Sequence, residues 1–256
     1  MRTIRHAHVR IGTAMVGAAA MAIATLATLP TPAATASTIT TQTFTGDSSS
    51  GISTSNTYTQ AVNLAGPALT INGVSFIATG SVAGTTITGS NYTLNMPALG
   101  TYSGYGDNLS GQVGVLCSTF YYQSFAGTSS SATATLTLSS LSPSTAYKLV
   151  FYDDGFGGGT RTSNVTDSQG SSLVYDENQG GTDAGSLLID TYTTAATGTG
   201  STSFSISFLE QSQNDSTQLY GFTNQVVPEP ATLGLMAIGG VGLLLVGRQR
   251  RSTHHA

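Results

Sequence analysis

Ser203-Phe204-Ser205-Ile206-Ser207-Phe208 decides the fold class, because apolar and hydroxyl side chains alternate through it without a break. Alternation with a period of two places the three apolar side chains on one face of a strand and the three serines on the other. Residues 132–138 repeat the pattern, with threonines set against Ala134, Leu136 and Leu138. Both stretches predict half-buried β-strands whose outer face carries hydroxyl groups.

The sequence on either side of these stretches contains further short runs that predict strands. Residues 147–152 form an apolar run typical of a more deeply buried strand. Gly, Ser, Asn and Asp are frequent between the apolar runs, and no sustained helical stripe is present. The sequence therefore predicts an all-β fold, an antiparallel β-sandwich with jelly-roll-like connections. Further strands are predicted at 39–44, 74–77, 112–116, 173–175, 187–192 and 219–223.

The segment from Leu141 to Tyr147 predicts a specific corner between two strands. It reads Leu-Ser-Pro-Ser-Thr-Ala-Tyr, a proline-containing turn that ends in a tyrosine at the start of the next strand. This arrangement is similar to the tyrosine corner of Greek-key sandwiches, in which the hydroxyl bonds backbone a few residues upstream.

The charge of the middle section, residues 37–225, excludes one class of partner. Only 8% of the chain is charged, against about 25% in ordinary domains. The middle section has two basic and eleven acidic residues, a formal charge of −9. Nucleic acid is not expected as a partner, because binding it requires cations that displace its counterions. Divalent cations and neutral sugars remain open as ligands.

Cysteine and histidine usage excludes several kinds of site. Cys117 is the only cysteine, so no internal disulfide forms, and we expect it to be a small buried apolar residue. The four histidines lie in the terminal segments. The middle section therefore has no Ser-His-Asp triad and lacks the His and Cys ligands that zinc prefers.

The N-terminus has the organisation of a secretory signal peptide. Three arginines precede an uncharged, mostly apolar stretch at 11–29. Two prolines then end the stretch, and Ala34-Thr35-Ala36 supplies a small-x-small cleavage site before Ser37. We therefore predict a signal peptide at residues 1–36 and a mature chain that starts at Ser37.

The C-terminus predicts a membrane anchor. Pro228-Glu229-Pro230 holds the chain extended and outside a helix. Residues 231–247 are uncharged and as a helix would span about 25 Å, which predicts a single short transmembrane segment. Arg248, Arg250 and Arg251 follow it and should stay in the cytoplasm. The domain at 37–225 is then outside, in agreement with the signal peptide.

Pro-Glu-Pro, a short Gly/Leu-rich helix and a terminal arginine cluster together resemble the PEP-CTERM sorting domain of exported bacterial proteins. The resemblance covers residues 226–256. It implies the secretion machinery and exosortase, a membrane-embedded cysteine protease, as partners. It also implies a transient stay in the inner membrane, processing near Pro228 to Pro230, and delivery to the cell surface or an extracellular, biofilm-type matrix.

Carboxylates suggest one candidate site in the middle section. Asp153 and Asp154 precede a glycine-rich loop, and Asp176 and Asp183 lie further along the chain. If the loops converge, these oxygens could bind a structural Ca²⁺ ion. The alternative is an ordinary solvated turn, since Asp and Gly are common turn residues. No other cofactor is expected.

Tyrosines suggest a second candidate site. Tyr102 and Tyr105 lie in a turn-rich segment, and Tyr121 and Tyr122 form a second pair. Exposed rings of this kind could stack on sugars. The alternative is that these tyrosines fill or border the core, as buried aromatic residues usually do.

Three functional hypotheses remain. The first is a non-catalytic surface or matrix protein with a structural or adhesive role. The second is a carbohydrate-binding module that acts on the cell's own exopolysaccharide. The third is a glycan-acting hydrolase, which would need two close carboxylates in a cleft. No catalytic residue is assigned.

Overall fold

The computed structural model describes residues 36–97, 99–104, 109–123, 133–156, 160–196, 202–210 and 216–228. These ranges contain seventeen strands, a single 3₁₀ turn at Asp47–Ser49 and one short helix, α1, at Gln112–Leu116. The predicted all-β class is confirmed. The predicted transmembrane helix at 231–247 and the signal peptide up to residue 35 lie outside the described residues.

Two seven-stranded sheets and one small sheet make up the fold. The pairing is antiparallel except between β2 and β4, which run parallel over two residue pairs. Sheet I has the spatial order β1 (Thr38–Phe44), β14 (Gly185–Thr193), β11 (Ala146–Asp153), β17 (Gly221–Val226), β2 (Thr57–Asn63), β4 (Val74–Ala78) and β3 (Leu69–Ile71). Sheet II has the order β13 (Ser172–Asp176), β12 (Thr162–Asp167), β15 (Thr202–Glu210), β10 (Thr133–Leu141), β7 (Tyr92–Asn95), β6 (Thr86–Gly89) and β5 (Ser81–Ala83). Sheet III has the order β16 (Gln218–Leu219), β9 (Thr119–Gln123) and β8 (Leu99–Ser103).

Sheets I and II share one apolar core. Phe204, Ile206 and Phe208 of β15 are all buried in it, as their alternation with serine predicts. Rings from the two sheets meet edge to face, with 5.1 Å between the centroids of Phe151 and Phe208. Contacts of this kind add to the free energy gained from burial of the rings.

The other face of sheet I is also covered. Helix α1 and Phe120 of β9 pack on this face, where they form a second apolar cluster with residues of sheet I itself, Ile71 of β3 among them. In β11, Leu149 and Phe151 face the core that sheets I and II share, whereas Val150 and Tyr152 face the second cluster. A strand buried on both faces needs a continuous apolar run rather than an alternating one. Cys117 lies in the second cluster and is fully buried, as predicted.

The tyrosine corner is present. Tyr147 lies at the beginning of β11, is 1% exposed, and its hydroxyl oxygen accepts a hydrogen bond from the Ser142 backbone N–H at 3.0 Å. The bond spans the turn that contains Pro143. It fixes the angle at which the chain leaves β10 in sheet II and enters β11 in sheet I.

One predicted strand is wrong. Residues 112–116 form α1 rather than a strand. The Asp47 carboxylate accepts hydrogen bonds from the backbone N–H groups of Gln112 and Val113, at 3.1 and 2.7 Å. These groups belong to the first turn of the helix, where the backbone has no partner of its own. A cap from a distant part of the chain therefore selects the helix.

The remaining predicted strands agree with the structure apart from small differences at their ends. Strands form at 38–44, 74–78, 172–176 and 185–193. The run predicted at 219–223 is divided, because Tyr220 separates β16 from β17.

Candidate functional site: an aromatic cleft

Tyr102 and Tyr122 line the same cleft of about 240 Å³. They come from neighbouring strands of sheet III, where Tyr102 lies opposite Phe120 and Gly100 lies opposite Tyr122. A Cβ atom on Gly100 would lie 2.4 Å from the Tyr122 ring. The glycine therefore makes room for this ring. The Tyr102 side chain is 43% exposed, so one ring of the cleft is open to solvent.

Two phenylalanines complete the aromatic wall. Phe120 stacks on Tyr102 with 5.5 Å between ring centroids and 25° between ring planes. Phe156, in the loop after β11, meets Tyr102 at 4.8 Å and Phe120 at 5.8 Å. Three separate segments of the chain thus bring their rings together. The cluster holds Tyr102 in place, although much of its surface is exposed.

The polar end of the cleft consists of Arg161, Ser216 and Gln218. It adjoins the aromatic rings, because the Arg161 guanidinium lies 5.8 Å from the centre of the Phe156 ring. The Arg161 Nε donates to the Phe156 carbonyl at 2.7 Å, and its Nη1 donates to the Ser216 hydroxyl at 3.1 Å. The Gln218 Nε2 also donates to the Ser216 hydroxyl, at 3.3 Å. The Tyr220 hydroxyl donates to the Gln218 Oε1 at 3.1 Å. The polar groups are therefore held in position by the protein itself.

Buried carboxylates lie behind this polar end. The Gln218 backbone N–H donates to both oxygens of Glu177, at 3.1 and 3.2 Å. The Tyr175 hydroxyl donates to Asp153 Oδ2 at 2.6 Å. Asp153 and Glu177 are 0% and 2% exposed. The described residues that line the cleft include no carboxylate, so these acids are separated from a ligand in the cleft.

Burial changes the protonation of these acids. Loss of solvation raises the pKa of Asp153 to about 7, with a further rise from Asp154 that the Tyr175 hydrogen bond opposes. Burial also raises the pKa of Glu177 well above its usual range, and Asp153 adds to the rise. Both shifts stabilise the neutral acid relative to an exposed carboxyl group, because removing a carboxylate from water is costly.

The other two candidate tyrosines lie elsewhere. Tyr121 is 8% exposed and packs in the core between sheets I and II. It points away from the cleft because neighbouring residues of a strand face opposite sides. Tyr121 and Tyr122 therefore do not form a pair for stacking. Tyr105 lies outside the described residues.

The candidate calcium residues have different surroundings. Asp153 and Asp154 are buried, which contradicts the solvated-turn alternative at this point of the chain. Asp176 Oδ1 accepts hydrogen bonds from the backbone N–H groups of Arg161 and Asn178, while Asp183 is exposed. Among the described residues, no three His, Cys, Asp or Glu side chains are placed to hold a metal ion. A calcium ion on these residues stays a prediction.

Sequence analysis missed Phe120, Phe156, Arg161, Ser216 and Gln218. Two signals could have pointed to them. Arg161 is one of two basic residues in the middle section, and Phe156 is an aromatic residue within a glycine-rich loop. The remaining members of the cleft could not be grouped from the sequence, because they come from different strands.

The predicted signal peptide precedes the fold in the sequence, and the sorting segment follows it. Ala36 is exposed, and Ser37 is buried beside Ser171, whose hydroxyl accepts a hydrogen bond from the Ser37 hydroxyl at 2.8 Å. Pro228 is exposed at the other end. The remaining cleavage and sorting residues lie outside the described residues, namely Ala34, Glu229, Pro230, Arg248, Arg250 and Arg251. No helix in the described part of the chain is long and apolar enough to cross a membrane.

Comparison with known families identifies the C-terminal segment. Residues 226–251 match the model of the PEP-CTERM protein-sorting motif. The chain carries a PEP-CTERM sorting signal. The PEP-CTERM signal implies an exported protein that is anchored in the membrane, processed by exosortase and then presented at the cell surface.

The central domain has only weak likenesses. No curated protein matches the chain. Its fold is similar to parts of the plant receptor-like kinase ANX2, at 14% identity and a TM-score of 0.43 over 68% of this chain and 49% of that one. It is also similar to an exo-β-1,3-galactanase of Phanerochaete chrysosporium solved with β-1,3-galactotriose, at 18% identity and a TM-score of 0.32, over 61% of this chain and 32% of that one. The chain thus spans at most about half of either structure, and likenesses this weak do not bear on its function.

Proposed function

We propose that this exported protein is a non-catalytic surface adhesin that binds neutral carbohydrate in the aromatic cleft. The domain that carries the cleft is proposed to be a β-sandwich. The observation that carries the proposal is the exposed Tyr102 ring, packed against Phe120 and Phe156, in a cleft that the polar side chains of Arg161 and Gln218 also line. A sugar presents an apolar face and a rim of hydroxyl groups, and a cleft with one aromatic wall and one polar end matches both.

The size of the site and the charge of the section around it favour a small neutral ligand, although the cleft itself is lined by one cation, Arg161. Its volume of about 240 Å³ is below the roughly 300–1,000 Å³ typical of drug-sized ligands, and suits a single sugar ring of a longer chain. The surrounding section has a formal charge of −9, which repels polyanionic glycans. The cell's own exopolysaccharide is the ligand class we propose, because export delivers the domain to it.

The position of the carboxylates supports a binding role over hydrolysis. Glycosidases need two carboxyl groups that reach the glycosidic bond. Asp153 and Glu177 have the raised pKa of a general acid, but both are buried behind Gln218 and Tyr175. Neither is among the described residues that line the cleft.

Glycan-array screening of the exported, processed protein tests the proposal. We expect binding to neutral hexose polymers, and Tyr102→Ala should weaken it at least tenfold, or about 1.4 kcal/mol. Tyr102→Phe should retain most of the affinity because it keeps the ring face. Val174→Ala is the matched control, since Val174 is 61% exposed on a different strand, and it should bind as wild type does. Wild-type protein that binds no neutral glycan, or Tyr102→Ala that binds normally, would overturn the proposal.

A further inference from the structure

The hydrogen bonds at the polar end of the cleft determine what its hydroxyl group can offer a ligand. The Ser216 hydroxyl oxygen accepts two hydrogen bonds, from Arg161 Nη1 at 3.1 Å and from Gln218 Nε2 at 3.3 Å. A hydroxyl group has two acceptor positions and one proton. Both acceptor positions of Ser216 are therefore occupied, and the group has only its proton to offer to a ligand in the cleft.

Tyr220 determines the orientation of the Gln218 amide. Both side chains are buried, with Tyr220 0% and Gln218 1% exposed, and the Tyr220 hydroxyl donates to Gln218 Oε1 at 3.1 Å. If the amide were turned over, its nitrogen would face this hydroxyl, and the buried proton of Tyr220 would lose its acceptor. Leaving a buried donor without a partner is costly. The amide oxygen therefore stays with Tyr220, and the amide nitrogen stays with Ser216.

Arg161 adds further donors and no acceptor. A guanidinium group has several N–H groups and cannot accept a hydrogen bond. Its bonds to the Phe156 carbonyl and to Ser216 hold it at the cleft. Within the described polar end, Arg161 and Ser216 can therefore only donate, and Gln218 keeps Ser216 in this state. The hydroxyl groups of the two cleft tyrosines can donate or accept, so the polar end is the part of the cleft that discriminates between ligands.

We propose that the cleft selects a sugar unit that carries an acetyl group, as an N-acetyl or an O-acetyl substituent. The carbonyl oxygen of an acetyl group only accepts, so it matches the donors of Arg161 and Ser216. Its methyl group lies beside the carbonyl, just as the Phe156 ring lies beside the Arg161 guanidinium, with 5.8 Å from the guanidinium carbon to the ring centre. The inference rests on the proposed binding of sugar in this cleft and adds the chemistry of the unit that is bound.

Unsubstituted and acidic sugars match the cleft less well. A sugar hydroxyl that accepts from Ser216 still has a proton of its own, and neither Arg161 nor Ser216 can accept it. The carboxylate of a uronic acid would also accept from both residues, and a guanidinium group pairs well with a carboxylate. However, the formal charge of −9 on residues 37–225 repels a polymer of such units. The neutral acetyl group is therefore the acceptor that fits both the polar end and the charge around it.

Matched oligosaccharides that differ only in their substituent test the inference on the exported, processed protein. Oligomers of glucose and of galactose are compared by titration calorimetry with their N-acetylated, O-acetylated and uronic-acid counterparts. We expect wild type to bind an acetylated oligomer about tenfold more tightly than its unsubstituted counterpart. Arg161→Met and Ser216→Ala should each reduce this ratio, which a general loss of stability would not change. Lys148→Met is the matched control, because it removes the other positive charge of residues 37–225, and it should keep the wild-type ratio.

The outcomes separate this inference from the proposed function. Wild type that binds acetylated and unsubstituted oligomers equally well would overturn the inference and leave sugar binding intact. A preference that survives in both Arg161→Met and Ser216→Ala would also overturn it, because the donors would then not be its cause. Tightest binding to the uronic acids would overturn both the inference and the neutral ligand of the proposed function. Binding to none of the oligomers would overturn the inference, and a negative glycan array would then overturn the proposed function as well.

Discussion

Asp190 is a carboxyl group placed in the core between the two large sheets. It lies on β14 between Leu188 and Tyr192, both of which face that core, and it is itself 0% exposed. Burial, together with the nearby Asp167 carboxyl, raises the pKa of Asp190 to about 8. At neutral pH the group is therefore mostly protonated in the folded protein, whereas it is ionised in the unfolded chain, where an Asp has a pKa of about 3.9.

The stability of the domain should consequently fall as the pH rises. Between about pH 4 and pH 8 the folded state binds more protons than the unfolded state, so the free energy of unfolding decreases with pH, by up to about 1.4 kcal/mol per unit for one such group. The raised pKa of Asp153 and that of Glu177 act in the same direction. We expect a melting temperature that is higher at pH 5 than at pH 8, measured by circular dichroism.

Asp190→Asn isolates this group, because the amide is uncharged at every pH. The variant should lose part of the decline between pH 5 and pH 8. Asp183→Asn is the matched control at an exposed turn and should retain the wild-type slope. A melting temperature that rises from pH 5 to pH 8 would contradict the assignment of a buried neutral acid.

Tyr147 gives a second prediction at the scale of one side chain. Tyr147→Phe removes the hydroxyl that accepts from the Ser142 N–H and leaves this backbone donor without its partner. We expect a loss of about 1–3 kcal/mol in the free energy of unfolding, measured by urea denaturation. Tyr102→Phe serves as control, since its ring is 43% exposed, and should change stability little. Equal stability of Tyr147→Phe and wild type would show that the corner is dispensable.

Helix α1 is capped by a distant side chain. Asp47 caps it from 65 residues earlier in the sequence, and the residue before it, Gly111, has a φ of +83°. Asp47→Ala should destabilise the domain by about 0.5–2 kcal/mol, the usual cost of losing a helix cap, in urea denaturation. Asp47→Asn should recover much of the loss because its side-chain oxygen can still accept. If the free energy of unfolding of Asp47→Ala equals that of wild type, the Asp47 cap does not determine whether this segment forms a helix.

The same elements explain how far the sequence could predict the structure. β15 was predictable because Phe204, Ile206 and Phe208 alternate with serine, a pattern that depends on nothing outside the strand. α1 was not predictable, because its cap is remote and its apolar residues fit either a strand or a helix. The burial of Asp153 and Asp154 was likewise not predictable, because the contacts involved, such as the hydrogen bond from Tyr175 to Asp153, join residues that are far apart in the sequence.

In the whole molecule, the cleft arises where sheet III meets the loop that follows β11. Sheet III supplies Tyr102, Phe120 and Tyr122, while the loop after β11 supplies Phe156. Sequence analysis singled out two of these four rings, but only the fold brings them together. The described strands begin at Thr38 and end at Val226. The fold therefore lies between the predicted cleavage site before Ser37 and the Pro-Glu-Pro that begins at Pro228.

The intact mass of the protein recovered from the cell surface shows whether this chain is exported and then processed at both ends. We expect a single species that begins at Ser37 and ends near Pro228 to Pro230, without the apolar segment at 231–247 or the arginines that follow it. Such a species requires cleavage of the signal peptide and removal of the anchor by exosortase. A surface protein that still begins at Met1, or that extends to Ala256, would rule out processing at that end.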